Sequence, residues 1–170
     1  MVEAALSSVA SRAPPSLDEL GAASPFAVPE RAGFRVSRTV SGTGSIPTEG
    51  PLDTVPDAER LVVVVAFTTA PIPAAEGRDA LARRTSGDVA GSREVAVERL
   101  GLPVRTGGDG FYVAEATAKD ARTGGGCHVA QAPRFVPGGM PHAVGIARAE
   151  SRAALAPRSR AIAPSVEPRT

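Results

Sequence analysis

The longest apolar run of the chain lies in its first half. Residues 61–69 read LVVVVAFTT, with four consecutive valines and no polar position among the first seven. A strand without alternation is typical of a sheet interior, because both of its faces are covered. Upstream, residues 34–40 read FRVSRTV and place Phe34, Val36 and Val40 on one face, which Arg38 interrupts. This pattern predicts a second strand, and the arginine indicates either an edge position in a sheet or the end of the strand.

The second half predicts an antiparallel meander of three or four strands. Val95 and Val97 alternate with polar or small neighbours, and a Gly-rich run at 106–110 separates this segment from another alternating segment at 111–118. Such a run between two apolar segments is a hairpin signal. Residues 127–136 and 142–146 predict the returning strands, while Pro73 is placed to begin a helix over 74–84.

Turn-forming residues divide the chain into three parts. Residues 1–30 predict a flexible N-terminal segment in which Ser16 and Glu19 have the spacing of a helix capping box. Residues 31–148 predict one small α+β domain with an antiparallel sheet, one or two short helices and a long loop at 41–60. Residues 149–170, rich in Ala, Arg and Pro without periodicity, predict a disordered tail. The alternative is a largely disordered chain.

Composition makes that alternative a serious one. The chain has 170 residues and is 42% hydrophobic, but 31 of the hydrophobic residues are alanine, and Ala, Gly, Arg and Pro supply about half of the sequence. Large apolar side chains are therefore scarce. Eighteen arginines against one lysine, with no asparagine, indicate GC-rich coding DNA. A real gene of a GC-rich genome has this bias, and so does a spurious translation of a wrong reading frame.

Several classes of protein are excluded. One cysteine cannot form a disulfide framework, and no apolar run approaches the roughly 20 residues of a spanning helix. The first residues lack the basic start and apolar stretch of a secretory signal, so the cytoplasm is the predicted location and no membrane partner is expected.

Candidate catalytic chemistry is sparse. Cys127 and His128 are adjacent after three glycines, and His142 follows fourteen residues after His128. A thiolate activated by a histidine would make a small Cys-dependent enzyme, but neighbours on a strand point to opposite faces. The cysteine and histidines match no zinc-site spacing, and no phosphate-binding loop is complete. We therefore predict no metal site and no cofactor.

The last third of the chain is basic. Residues 121–170 carry seven arginines against two glutamates, whereas the whole chain has a net charge of +1. This asymmetry favours an anionic partner. The candidate residues are Arg148, Arg152, Arg158 and Arg160. Nucleic acid is one such partner, although the tail has no aromatic side chain to stack on bases.

The function most consistent with these patterns is that of a non-enzymatic accessory or assembly protein that binds another macromolecule, with a protein as the partner. Two alternatives stay open. One is a spurious translation product with no defined activity, and the other is the small Cys-dependent enzyme.

Overall fold

A computed structural model of the chain describes Ser16, Glu19, Ala22, Ser24, Pro71 and residues 26–40, 44–48, 62–68, 73–90, 95–106 and 110–169. Among these residues the strands are β1 Phe26–Ala27, β2 Arg35–Val40, β3 Gly44–Thr48, β4 Val62–Thr68, β5 Val95–Leu100, β6 Val104–Arg105, β7 Tyr112–Asp120, β8 Gly126–Pro133, β9 Met140–Arg148 and β10 Glu167–Pro168. The longer helices are α1 Ala75–Ala90 and α2 Arg152–Ser165, and a 3-10 turn at Ala149–Ser151 precedes α2.

The main sheet has the strand order β2-β3-β4-β9-β8-β7-β5, with β6 also paired to β7. Every pairing is antiparallel. Strand β4 leads through α1 to β5, which lies on the far side of β9, β8 and β7. The chain therefore forms the predicted α+β fold around an antiparallel sheet, with the meander β7-β8-β9 in its C-terminal half.

The two helices cover opposite faces of the sheet. On the α2 face, Ile162 and Val166 pack with Val63, Val65 and Ala143 in a single buried cluster. On the α1 face, the Gln131 side chain of β8 donates to the carbonyl of Ser86 in α1 at 3.0 Å, and Tyr112 of β7 donates to Asp79 at 2.5 Å. Strand pleating puts odd and even positions of β8 on different faces.

Strand β4 lies within the apolar run at 61–69, and its position explains why both of its faces are apolar. Val63, Val65 and Phe67 are buried on the α2 face, and Val64 and Ala66 on the other face are partly buried. The strand lies between β3 and β9, so both of its edges are paired. The predicted interior strand is confirmed, and β2 takes the predicted edge position.

The predicted hairpin around the Gly-rich run is also present. Val104 pairs with Val113 and Arg105 with Tyr112, while Thr106 donates its N–H to the carbonyl of Phe111 at 2.8 Å. The predicted helix over 74–84 exists as the longer α1.

The loop expected at 41–60 contains a strand instead over 44–48. Pro47 made a strand hard to predict there, because proline has no N–H for the ladder. In the structure Pro47 pairs with Val36, at the irregularity where the β2–β3 register shifts. A proline is tolerated at such a bulge. The rest of the predicted loop, 41–43 and 49–60, lies outside the described residues.

The C-terminal segment differs most from its prediction. A disordered tail was expected over 149–170, whereas Arg152–Ser165 is helical. Its buried side is formed by Ser159, Ile162, Ala163 and Val166, a spacing of three and four residues. Serine and alanine occupy half of these buried positions, so the helical period of apolar residues could not be recognised in the sequence.

The N-terminal segment also contributes to the fold. Ser16 and Glu19 form the predicted capping box, with Ser16 N–H to the Glu19 carboxylate at 2.7 Å and Glu19 N–H to the Ser16 hydroxyl at 3.2 Å. Phe26 is buried and stacks on Phe67 at 5.9 Å between ring centroids, and β1 pairs with β10. Residues 26–30 are thus attached to the core, contrary to the flexible segment predicted over 1–30. Residues 1–15 lie outside the described residues.

Candidate binding surface

A cleft opens on the α2 face at the end of the sheet, where β5, β7 and β8 meet the beginning of α2. Its volume is about 460 Å³. The side chains that give the cleft its chemistry are Arg99, Glu115, Thr117, His128 and Arg152. Gly101 and Ala149 complete its rim. Glu115 and Thr117 are two positions apart on β7, and Thr117 pairs with His128 of β8, so the pleat brings all three to one face.

Glu115 is the centre of the charged cluster. One carboxylate oxygen accepts a hydrogen bond from Arg152 at 2.6 Å, and the other accepts one from Arg160 at 2.8 Å. Arg152 and Arg160 lie about two turns apart on α2, and long arginine side chains can converge over that distance. Burial acts to raise the pKa of Glu115, but the hydrogen bond and charge of Arg152, with the charges of His128 and Arg160, hold it below its ordinary value. Glu115 is therefore a carboxylate at neutral pH.

His128 forms the floor of the cleft and is only 3% exposed. Its Nε2 atom lies 3.8 Å from Glu115 Oε2, beyond hydrogen-bond distance, and has no partner among the described residues. Burial lowers the pKa of His128, Glu115 raises it and Arg152 lowers it, with a net decrease. The imidazole is neutral at neutral pH. A buried polar atom without a hydrogen bond costs about 1–3 kcal/mol.

Arg99 adds a further charge. It is an exposed residue of β5 that pairs with Thr117, and it forms no ion pair within the described parts of the chain. Glu115 balances one of the three arginine charges in this cluster. The cleft with its neighbouring Arg160 therefore has an excess of positive charge.

Two of the four predicted arginines take part in this site. Arg152 and Arg160 meet at Glu115. Arg158 instead places its guanidinium 3.9 Å from the centre of the Phe34 ring and donates to the carbonyl of Ala32 at 2.9 Å. Arg148 lies 3.7 Å from the Glu150 carboxylate. The structure thus divides the predicted group, and its role in binding an anion stays a prediction.

The predicted Cys–His chemistry is not assembled. Cys127 borders the cleft, but it packs with Val129 in the apolar cluster of the α1 face, whereas its neighbour His128 points to the α2 face. Burial, with the charge of Asp120, raises the pKa of the Cys127 thiol, which opposes formation of a thiolate. His142 is on the same face as Cys127 but pairs with Pro133, six positions along β8. That offset corresponds to about 20 Å.

His142 lies in a different kind of environment, under α1. It is 8% exposed, and burial lowers its pKa to about 4 against an opposing effect of Asp88. Its Nε2 atom, like that of His128, has no hydrogen-bond partner among the described residues. Within the part of the chain that the structure describes, no three His, Cys, Asp or Glu side chains are grouped so as to hold a metal ion.

An exposed apolar edge adjoins the cleft. Leu100, Leu102 and Val104 are 38%, 74% and 63% exposed, and we call these three residues the β5–β6 edge. They alternate in sequence with Arg99, Gly101, Pro103 and Arg105. No described strand pairs with the outer side of β5.

Gly101 joins the cleft to this edge. Its N–H donates to the carbonyl of Glu115 at 2.8 Å, and a Cβ at this position would lie 2.8 Å from the same oxygen. Only glycine allows this close approach of the two backbones. The position of the β5–β6 edge is therefore coupled to the strand that carries the central carboxylate of the cleft.

Sequence patterns indicated part of this region. The alternation in β7 placed Glu115 and Thr117 on one face with Phe111 and Val113, but gave no reason to join them to α2. Arg99 carried no signal, because its proximity to the cleft depends on the β5–β7 pairing. The exposure of the β5–β6 edge also depends on strand pairing, so the sequence alone could not distinguish Leu102 from a buried leucine.

The fold is shared with a solved structure. The crystal structure of LpqN from Mycobacterium tuberculosis, a protein described as involved in cell envelope biogenesis, is similar to this fold. The TM-score is 0.50 and the sequence identity 13%, over 83% of this chain and 81% of that chain. No protein-family model matches the sequence, and no curated protein matches it. At this identity the likeness establishes the fold alone.

Neither of the helices is a membrane span. In the described parts of the chain, no helix is both long and apolar enough to cross a bilayer.

Proposed function

We propose that this chain is a non-enzymatic accessory protein that binds a partner protein through the β5–β6 edge. The observation that carries the proposal is the exposure of three large apolar side chains within five residues. Leu100 pairs with Ala116 and Val104 with Val113, so these two side chains lie on opposite faces and the apolar groups follow the edge of the sheet. Single exposed leucines are ordinary, whereas an exposed apolar edge strand is a place where another chain can pair. Large apolar side chains are scarce in this chain, and alanines occupy many of the buried positions, so three large apolar side chains left at the surface are unusual for it.

The occupant that fits this edge is an extended segment of another protein with apolar and acidic side chains. The outer side of β5 offers backbone groups to which a strand can be added. Arg99 lies next to Leu100 and attracts carboxylates, while the acidic residue before it, Glu98, is paired with Lys119 at 2.7 Å. Charge complementarity thus favours an acidic segment over a basic one.

The alternatives have less support. A Cys-dependent enzyme needs a thiolate beside a base, but Cys127 has a raised pKa and lies on the opposite face from His128. Nucleic-acid binding by the C-terminal arginines has less support because the four residues do not form one surface. Arg152 and Arg160 meet at Glu115, whereas Arg158 lies over Phe34 and Arg148 beside Glu150. A spurious translation has no reason to match buried faces across a sheet and two helices, since such consistency is a property of selected sequences.

The cytoplasm remains the proposed location. LpqN, which shares the fold, is described as involved in cell envelope biogenesis, so an accessory role at the envelope is the competing location. Fractionation of cells that express the tagged chain tests this: recovery with the cytosolic fraction supports the cytoplasm, and recovery with the envelope contradicts it.

Site-specific photo-crosslinking tests the partner-binding function. A photoreactive amino acid replaces Leu102 in one variant and Arg84, an exposed residue of α1, in the control. We expect a discrete protein adduct from position 102 and none from position 84. The protein in the adduct is then purified, and its affinity is measured for the unmodified chain and for Leu102→Asp.

The affinity measurement decides the outcome. Placing a charge at the centre of an apolar contact should weaken binding by about tenfold or more. Equal affinity of the Leu102→Asp variant, or equal crosslinking from both positions, would contradict the proposed role of the β5–β6 edge.

A further inference from the structure

The geometry points to a binding site for a small oxyanion, a carboxylate or phosphate group, in the cleft between β5, β7, β8 and α2. This site does not depend on the β5–β6 edge having a protein partner. It is defined by Arg99, Arg152, Thr117 and His128, with Glu115 and Arg160 behind them.

Charge is the first reason for this assignment. Arg99 and Arg152 line the cleft and Arg160 lies beside it, whereas Glu115 is the one acidic residue of the lining. Arg99 has no ion pair within the described residues. Guanidinium groups bind carboxylates and phosphates through paired N–H donors. An oxyanion bound at Arg99 and Arg152 would therefore supply the negative charge that Glu115 alone does not provide.

The second reason is independent of charge. His128 is almost completely buried, lines the cleft, and has no hydrogen bond at Nε2. Buried polar groups in folded proteins are nearly always satisfied by protein or bound molecules. The Nε2 atom itself has almost no accessible surface at the cleft, so an oxyanion there would accept a hydrogen bond from Nε2–H only after the neighbouring side chains move. By contrast, His142 has the same orphaned atom on the α1 face and is not among the residues that line this cleft.

The beginning of α2 contributes in the same direction. Neither the 3-10 turn at Ala149–Ser151 nor α2 receives a side-chain hydrogen bond at its N-cap, and α2 has no acidic residue in its first turn. Glu150 is the acidic residue of the preceding turn, and it lies 3.7 Å from Arg148. The positive end of the helix dipole therefore attracts a further anion. Ala149 and Arg152, at this end, both line the cleft.

The test is a titration of the two histidine ring signals by NMR with inorganic phosphate, and separately with acetate, at neutral pH and constant ionic strength. The chain has only two histidines, so His142 is a built-in control. We expect a saturable shift of the His128 signal and no shift of His142. Saturation by either probe supports the site and identifies its preferred anion. No saturation by either probe, or equal shifts of both histidines, would overturn it.

Three variants make the test specific. Arg99→Gln should weaken binding by about fivefold, since one charge-assisted contact is lost. Glu115→Gln should tighten binding by about fivefold, because Arg152 and Arg160 lose their internal competitor. Arg83→Gln removes the same charge as Arg99→Gln from an exposed position of α1 and should leave the affinity unchanged. Equal effects of Arg83→Gln and Arg99→Gln would show that the affinity depends only on the net charge of the protein, and this result would overturn the assignment.

The two proposals fail separately. Leu102→Asp should weaken the protein interaction by about tenfold or more while the His128 response to phosphate persists. A chain that binds the partner but shows no response at His128 loses the oxyanion site alone.

Discussion

The two faces of the sheet each bury one histidine, and the two histidines have much in common. Both His128 and His142 have an Nε2 atom without a partner among the described residues, and burial lowers the pKa of both. They differ in what surrounds them. His128 lies beside a carboxylate and arginines and lines a cleft, whereas the charged group that acts on His142 is Asp88 of α1. Burial alone therefore does not define a site; the charged groups around each histidine distinguish the two faces.

Truncating one buried and one exposed apolar side chain to alanine should give the largest difference in the free energy of unfolding between interior and surface. Ile162→Ala removes a fully buried side chain that anchors α2 to the sheet, and it should lower the free energy of unfolding by about 3 kcal/mol. Leu102→Ala, at the β5–β6 edge, should change it by less than about 0.5 kcal/mol. Urea unfolding at neutral pH measures both. Similar losses for the two variants would contradict the packing of α2 or the exposure of Leu102.

His142 makes stability depend on pH. Its pKa is about 4 in the folded protein against 6.5 for an ordinary histidine, so the unfolded chain binds the proton first. Its contribution is complete above pH 6.5 and is lost as the pH falls towards 4. At about pH 4.5 the loss should be roughly 2.5 kcal/mol.

A variant isolates this effect. His142→Gln cannot titrate, so its stability should fall less than that of the unmodified chain between neutral pH and about pH 4.5. His128→Gln should reduce the pH dependence less, because Glu115 opposes the decrease in the His128 pKa. The same pH dependence in His142→Gln and the unmodified chain would show that His142 is not buried.

Glu115 should have the smallest of these effects on stability. Glu115→Ala leaves Arg152 and Arg160 without their shared carboxylate, but both arginines are more than half exposed. Solvent screening limits the expected loss to about 1 kcal/mol, and added salt should reduce it. Glu98→Ala, which removes the exposed pair with Lys119, is the control and should cost less. A loss that salt does not change would contradict an electrostatic origin.

Strands were more predictable from this sequence than helices or the site. Alternation of valine with polar residues revealed the hairpin of β6 and β7, and the unbroken run in β4 revealed an interior strand. These signals are local and depend only on the period of two. Helix α2 escaped because Ser159 and Ala163 occupy buried positions, and small residues produce little contrast with their neighbours. Proline at position 47 concealed β3 in the same way, since its tolerance depends on a bulge formed with β2.

The cleft could be predicted only in fragments. Arg152 and Arg160 were singled out as basic residues, but their contact with Glu115 needs α2 to lie across β7, and that packing has no local sequence signal. Arg99 reaches the cleft through the β5–β7 register. In contrast, the separation of Cys127 from His128 followed from strand alternation alone. Local geometry could thus exclude a catalytic pair but could not assemble a binding site.

The measurement that tests the two-face arrangement most directly is a pH titration of the two histidine ring signals in the folded chain, repeated with Glu115→Gln. We predict that His142 titrates near pH 4 and His128 below 6.5. Glu115→Gln should lower the pKa of His128 further, because it removes the carboxylate that favours the charged ring, and should leave His142 unchanged. Two histidines that titrate together near 6.5, or a shift of both in the variant, would contradict the arrangement.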